Sequence, residues 1–309
     1  MVELMIFLAA AHQSRPAGVI DRDHKPLYDE ALLATPTQIL GRYRTEDGHP
    51  GHALKGLSVR PDGGLLACTE RELLWLAREG TVERRLSHPG FNDLHHAIEH
   101  DGAIWVASTG ADTVIELRDG ESKVHQLAHP PPTGDLRGRH LKPHAVHPNH
   151  LFVWRGEVWV TCLHQGHARS LTSSGEVLAV DQERIHDGVV HDGRVWFTTV
   201  DGRVVATDGR DREVFDLNAI DGAGEPLGWC RGLAFDHRRV WVGFTRLRAT
   251  RWRHHLAWAR GMARGRVEVT RRPTRVVGVD LASRRVVATI SCEDRGLHAV
   301  FGVAHHPAR

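Results

Sequence analysis

The sequence predicts an all-β protein, a six-bladed β-propeller that is closed by pairing of its N- and C-terminal segments in one blade. The first observation behind this prediction is a hairpin phrase that recurs along the 309 residues. The second is that each end of the chain supplies only part of a further repeat. All-β architectures of this length are often single domains, so residues 1–309 are expected to form one β-propeller domain.

The repeated phrase is a short apolar strand, a tight turn and a second strand, usually with a central tryptophan. It lies at 57–68, 97–108, 151–162, 188–199 and 233–244. Asp-Gly between alternating apolar runs predicts a two-residue hairpin turn, because both turn residues need positive φ. Two further strands follow most copies, which is typical of a propeller blade. Trp105, Trp159, Trp196 and Trp241 are interpreted as packing between the sheets.

The complete blades are predicted at about 52–90, 91–130, 140–184, 185–224 and 225–292. The C-terminal HAVFGVAHH (298–306) matches HALKGLSVR (52–60), which opens a blade, but no further strands follow it. The N-terminal LMIFLAAA and AGVIDRD lack an inner strand. Joined together, the two ends make a sixth blade whose innermost strand is C-terminal, and the ring closes without an exposed edge.

Charge and cysteine usage exclude several classes. Lys plus Arg number 40 against 38 Asp plus Glu, so a formal charge of +2 gives no general reason to expect a nucleic-acid or membrane partner. The four cysteines, Cys68, Cys162, Cys230 and Cys292, form no CxxC pair, which fits a reduced, cytoplasmic setting. The apolar N-terminus carries Glu3 and no Lys or Arg, so we interpret it as a strand rather than a signal peptide. The expected partner is a small-molecule substrate, and the expected state is a monomer or homodimer without a membrane span.

The unusual feature of the composition is its 24 histidines. Counting back six positions from each hairpin turn gives His95, Asn149, His186 and Arg231, followed directly by His96, His150 and Asp187. Inner strands begin at one mouth of the channel, so these side chains are expected to converge there. Imidazoles from separate blades predict a transition-metal site. The candidate ligands are His52, His95, His96, His150, His186 and His298, of which the adjacent His95 and His96 are expected to point to opposite faces.

Other polar residues at the same mouth are candidates for catalysis and substrate binding. Asp187 is expected to orient a histidine, Arg231 to bind an anionic group, and His144 on the proline-marked connection at 128–150 to act as a general base. The substrate-binding candidates are Asn92, Asn149, His164 and Arg246.

An insertion at 245–272 contains nine Arg and one Glu, with a predicted short helix from Trp252 to Ala263. We interpret it as a lid over the channel, since long loops inside compact domains usually have a function. A nucleic-acid or membrane-surface patch is the alternative.

Three short phrases carry a resemblance to a known family. FND (91–93), HPNHL (147–151) and IHDGVV (185–190) resemble the metal and substrate signatures of the gluconolactonase and regucalcin family, which are six-bladed propellers that hold a divalent cation. The resemblance implies metal or substrate roles for Asn92, Asn149 and Asp187. The chain departs from that family at Lys55, where the family has a glutamate. The blades also resemble those of virginiamycin B lyase, another propeller enzyme, which uses a catalytic histidine.

Three functions follow from these observations. The first is a metal-dependent enzyme acting on a small organic molecule at the channel mouth, with the histidines favouring a mononuclear non-haem iron or copper oxidoreductase, or zinc as the metal. The second is a lactonase-like hydrolase or a lyase, in which Asn149 and Asp187 hold calcium or magnesium and a histidine removes a proton. The third is a non-catalytic propeller that presents the basic insertion to a partner.

Overall fold

Short β-strands account for most of the residues that the structure describes. The computed structural model describes residues 5–13, 28–44, 53–130, 133–139, 141, 144–172, 175–182, 184–222, 227–236, 239–246 and 272–306. The strands are β1 (Met5–His12), β2 (Glu30–Ala34), β3 (Ile39–Tyr43), β4 (Gly56–Val59), β5 (Leu65–Cys68), β6 (Glu72–Leu76), β7 (Val82–Ser87), β8 (Leu94–His100), β9 (Ala103–Ser108), β10 (Thr113–Arg118), β11 (Glu121–Gln126), β12 (Pro148–Trp154), β13 (Glu157–Cys162), β14 (His167–Ser170), β15 (Val177–Ala179), β16 (Ile185–His191), β17 (Arg194–Thr199), β18 (Arg203–Thr207), β19 (Arg212–Asp216), β20 (Trp229–Asp236), β21 (Arg239–Thr245), β22 (Arg275–Asp280), β23 (Arg285–Ser291) and β24 (Ala299–His306). A short helix, α1 (Leu217–Asp221), and two 3₁₀ turns, Thr109–Ala111 and Glu293–Arg295, lie between them.

The strands form six antiparallel four-stranded sheets that follow one another around a ring. Five sheets are continuous in sequence, namely β4–β7, β8–β11, β12–β15, β16–β19 and β20–β23. The innermost strands contact each other in the cyclic order β4, β8, β12, β16, β20, β24 and back to β4. The predicted six-bladed β-propeller is therefore confirmed.

The sixth sheet closes the ring with strands from both ends of the chain. Its order is β24, β1, β2, β3, so the C-terminal strand is innermost, as predicted. The side chains from Ile6 to Ala11 on β1 are all fully buried. That burial on both faces explains why this segment is a continuous apolar run and not an alternating one. AGVIDRD lies outside the described residues.

The hairpin turns have the backbone geometry that the sequence predicts. Asp101 and Gly102 have φ values of 48° and 70°, and Asp192 and Gly193 have values of 47° and 74°. Positive φ at both central residues matches the right-handed twist of the flanking strands. These turns hold the repeated phrases in register, and thereby hold the first residues of every inner strand at the same end of the ring.

The tryptophans of the repeated phrase are buried between adjacent sheets. Trp105, Trp159, Trp196 and Trp241 are at most 6% exposed. Trp196 belongs to a cluster that contains Leu233 and Phe235 of the next blade. The interpretation of these residues as inter-sheet packing is confirmed. All four cysteines are buried free thiols.

The basic insertion joins β21 to β22, the second and third strands of its blade. Its residues 247–271, including the predicted helix from Trp252 to Ala263, lie outside the described part of the chain. Among the helices that the structure does describe, none has the length and apolar character needed to cross a bilayer.

Candidate functional site

β-bulges at the start of the inner strands aim consecutive side chains at the channel axis. The pairing register shifts at His95 in β8, at Asn149 and His150 in β12, and at Asp187 and Gly188 in β16. A bulge redirects side chains that a regular strand would send to opposite faces. His95 and His96, which the sequence predicts on opposite faces, both line the same cavity.

The bulged strands surround a small cavity on the axis, which we call the axial cavity. All six inner strands contribute to its wall, five through their first residues or the residue just before them. The lining residues are Lys55, Gly56, Leu57, His95, His96, Asn149, His150, His186, Asp187, Arg231, Phe301, Gly302 and Val303. The cavity volume is ≈ 20 Å³, so only the end of a small ligand fits inside it.

Asn149 bridges two imidazoles that come from different blades. Its Oδ1 lies 3.0 Å from Nδ1 of His95, and its Nδ2 contacts Nδ1 of His186. An amide has one accepting and one donating end, so it holds the two rings in complementary tautomers. Nδ2 also lies 3.3 Å from Nε2 of His186, but Nδ1 is the nearer acceptor. With the amide in this orientation, His95 has a lone pair on Nε2 and His186 has a proton on Nε2. Flipping the amide exchanges the two roles and preserves the complementarity.

Burial keeps this pair of imidazoles neutral. His95 and His186 are 8% and 3% exposed, and burial lowers the pKa of both below the usual 6.5. Arg231 adds to the lowering at His186. Asp93 opposes the lowering at His95, because its Oδ1 lies 3.6 Å from Nε2 and stabilises a proton there. The bridged pair thus has one Nε2 lone pair and one Nε2–H at neutral pH.

His96 and His150 form a second, stacked pair with ring centroids 3.6 Å apart. Both nitrogens of His96 are engaged within the fold, Nδ1 by the Leu151 N–H at 3.2 Å and Nε2 by the Leu57 carbonyl at 3.3 Å. Burial lowers the pKa of His96 to about 4, so the ring stays neutral. It links the backbones of the two neighbouring blades. Nδ1 of His150 is buried and has no hydrogen-bond partner among the described residues.

These contacts do not fit the predicted histidine-ligated metal centre. The described residues contain no group of three or more His, Cys, Asp or Glu arranged to hold a metal ion. His96 has no free nitrogen to offer. His298 lies away from the cavity wall, where its Nδ1 accepts the Gln13 N–H at 3.0 Å. His52 lies outside the described residues.

Arg231 places a buried positive charge on the wall of the axial cavity. Its guanidinium carbon lies 5.3 Å from the Trp229 ring centroid and 5.4 Å from that of Phe301. Its Nε–H is buried and finds no hydrogen-bond acceptor among the described residues. Burial lowers the pKa of Arg231 and outweighs the opposing effect of Tyr28, Asp187 and Asp93. A buried guanidinium with an unused donor is the chemistry that binds a carboxylate or another oxyanion.

Lys55 and Asp187 link the strands that form the cavity wall. Lys55 donates to Asp93 and pairs with Glu70 at 2.8 Å. Asp187 accepts from the Thr198 hydroxyl and from the Gly232 N–H at 3.0 Å, and so ties β16 to the bulge that follows Arg231. The described hydrogen bonds of its carboxylate go to these two groups, and not to a histidine as predicted. Lys55 also lies six positions before its hairpin turn. The count that identified His95, Asn149, His186 and Arg231 could therefore have identified Lys55 as well.

The other predicted residues lie away from the axial cavity. The Asn92 side chain donates to the Leu136 and Arg139 carbonyls and anchors the 133–139 segment. Arg246 pairs with Glu293 at 3.1 Å. His144 and His164 lie near His147, outside the cavity wall. Of the predicted catalytic and substrate-binding residues, Asn149, Asp187 and Arg231 line the axial cavity.

The stability of the protein is expected to report the burial of Asp187. Burial raises the pKa of Asp187 from 3.8 to about 6, so between these values the folded protein holds a proton that the unfolded chain has lost. This group's contribution to stability is present at low pH and falls by about 3 kcal/mol as the pH rises through that window. Asp187→Asn should remove the loss, so the difference between variant and wild type in free energy of unfolding should grow from pH 4 to pH 7.

Urea unfolding across this pH range measures the difference. The control is Asp119→Asn at an exposed turn, because Asp119 and Asp187 share a positive φ, 52° and 53°, that asparagine also adopts. Neutral buried histidines make the free energy of unfolding rise with pH. They are present in the wild type and in both variants, so their effect cancels in the comparison. A difference between Asp187→Asn and wild type that stays flat with pH would refute the assignment.

Comparison with known proteins identifies the fold and no family. No protein-family profile and no curated protein matches the chain. A protein of unknown function from Bacteroides caccae has a TM-score of 0.61 at 15% identity over 98% of both chains. A chain of the nidogen/laminin complex has a TM-score of 0.62 at 10% identity over 99% of both chains. Virginiamycin B lyase from Staphylococcus aureus is similar at a TM-score of 0.48 and 13% identity, over 74% of this chain and 67% of its own.

Proposed function

We propose that this protein is an acid–base enzyme of the lyase or hydrolase type, which acts on a small organic anion whose head group enters the axial cavity. The observation that carries the proposal is the Asn149 bridge, which holds two neutral imidazoles in complementary tautomers. Beside them lies Arg231, whose Nε–H has no acceptor within the described part of the chain. One ring is ready to accept a proton and the other to donate one, which general acid–base catalysis requires.

The chemistry can be written as one balanced step. Arg231 binds the carboxylate of the substrate. The lone pair of His95 Nε2 takes a proton from the adjacent carbon, and the electron pair of the broken C–H bond forms a double bond as the leaving group departs from the next carbon. His186 donates its Nε2 proton to the leaving group. Asp93 stabilises the protonated His95, since its Oδ1 lies 3.6 Å from Nε2.

No step of this proposal passes through a metal ion. The sequence favoured a histidine-ligated iron or copper oxidoreductase, but His96 is fully hydrogen-bonded and His95 and His186 are bridged by an amide. The same groups serve proton transfer without rearrangement. Non-catalytic anion binding is the alternative outcome of the test below.

Exchange of carbon-bound hydrogen tests the proposal without knowledge of the natural substrate. Small carboxylic acids with an acidic C–H next to the carboxylate are incubated with the protein in D₂O, and NMR follows the loss of the C–H signal. We expect catalysed exchange for at least one acid, because abstraction by the imidazole is the first half of the reaction. The primary amides of the same acids are the matched controls and should not exchange, because they lack the negative charge that Arg231 binds.

Two results would contradict the function. Binding of the acids without catalysed exchange would assign a non-catalytic binding propeller. Equal binding of acids and amides would show that the cavity does not recognise an anion.

A further inference from the structure

A second group of histidines extends from the axial cavity toward the surface. We call His144, His147 and His164 the outer histidines. The ring of His147 lies at the centre of this group, with centroids 4.9 Å from His95, 5.0 Å from His144 and 5.3 Å from His164. His95 belongs to the cavity wall, so ring contacts lead from the wall to the partly exposed His144. The His95–His147 contact is edge to face and is not a direct hydrogen bond, so a proton crosses it through a bridging water.

The contact between His144 and His147 is a hydrogen bond between two imidazoles. Their Nδ1 atoms are 2.8 Å apart. One nitrogen must carry the proton and the other the lone pair, because two protonated or two bare nitrogens would repel each other at that distance. Burial lowers the pKa of His147 well below 6.5, and His95 and His144 add to the effect. A neutral imidazole of this kind accepts a proton at one nitrogen and releases one at the other.

The backbone holds these rings in place. Asp112 accepts the N–H groups of Ala145, Val146 and His147 at 2.6, 3.1 and 2.7 Å. The N–H of His164 in turn donates to the Val146 carbonyl at 3.2 Å. A carboxylate that accepts three backbone donors makes a rigid turn, so the backbone positions from which the outer histidines project are built into the fold.

We propose that His147 and His144 carry protons between His95 and the surface of the propeller. The use of this relay during catalysis rests on the proposed function. When an anion fills the axial cavity, the mouth is blocked, so a proton taken up by the nearly buried His95 needs a second route to solvent. The outer histidines provide this route beside the cavity, since His147 contacts His95 but does not line the axial cavity. His147 is therefore a positioning and relay residue that does not touch the substrate.

Exchange of ring protons with water tests the relay directly. The protein is labelled with ¹⁵N-histidine, and NMR measures how fast the ring N–H protons of His95 and His186 exchange with water. We expect His147→Asn to slow this exchange by about tenfold or more. Asparagine is the suitable replacement because His147 has a φ of 57°, which asparagine tolerates better than most residues. His88→Asn is the control, since His88 bonds the Gly90 N–H apart from this group.

Two further measurements separate a relay from a structural role. Free imidazole added to the buffer should restore fast exchange in His147→Asn, whereas it should not repair a distorted cavity. His144→Asn should also slow exchange. Unchanged exchange in both variants would overturn the relay. The measurement needs no substrate, so slowed exchange without anion binding would retain the relay and overturn the proposed function, and anion-dependent catalysis with unchanged ring exchange would do the reverse.

Discussion

Methionine in place of Arg231 is expected to raise the dissociation constant for small carboxylates by about 100-fold or more. The guanidinium is the cavity-wall cation with a buried, unpaired donor, whereas Lys55 is already paired with Asp93 and Glu70. Methionine has a similar length and can still pack against Trp229 and Phe301. Isothermal titration calorimetry with the acids that the exchange assay identifies measures the change.

Stability provides the control for this substitution. Removing a buried charge that lacks a hydrogen-bonded partner should not lower the free energy of unfolding, because its desolvation is unfavourable in the folded state. Arg231→Lys is the matched variant. It keeps the charge but loses the planar fork, so it should bind more weakly than wild type and more tightly than Arg231→Met. Unchanged affinity in Arg231→Met would remove the anion site from the proposed function.

Leucine in place of Asn149 is expected to lower catalysed carbon–hydrogen exchange by about 10²- to 10⁴-fold and to leave carboxylate binding nearly unchanged. Leucine fills the same space but cannot set the tautomers of His95 and His186. Either ring can then carry its proton on the wrong nitrogen. The ¹⁵N shifts of the two rings should change from one defined tautomer each to a mixture, and the rate of exchange should fall without a matching change in the dissociation constant.

Aspartate at the same position is the informative companion. Asn149→Asp offers two accepting oxygens, so both rings should present an Nδ1–H and the pKa of each should rise toward the neutral range. NMR titration of the two rings measures this shift. If both rings kept their wild-type tautomers in Asn149→Leu, the bridge would not control them and the acid–base assignment would fail.

The propeller itself was predictable because its signals are local. Asp-Gly turns require positive φ at both central residues, and these turns recur at Asp101 and Asp192. The central tryptophans are large apolar groups at fixed positions, and only burial between sheets accommodates them. Closure through the two ends also followed from sequence, since HAVFGVAHH matches the segment that opens another blade.

The position of the candidate site was predictable, but its chemistry was not. The register before each hairpin turn identified His95, Asn149, His186 and Arg231, and all four line the axial cavity. His96 does not support the metal prediction, because its two ring nitrogens bond Leu57 and Leu151 of neighbouring blades. Those partners are backbone atoms, which the identity of the side chains does not reveal.

The role of His147 depended on the fold in the same way. In the sequence it is one of several histidines on the 128–150 connection. Its contact with His95 arises because Asp112, from the preceding blade, binds the backbone of 145–147 and turns this segment toward the cavity.

The sequence by itself determined the strand and turn pattern, the number of blades, the closure of the ring and the convergence of His95, Asn149, His186 and Arg231 on one cavity. These properties depend on the conformational preferences and apolar spacing of consecutive residues. Only the tertiary structure decided which ring nitrogens are bonded, which imidazoles share an amide and which cation has an unused donor. Each of those depends on atoms contributed by a different blade and on the water that their packing excludes.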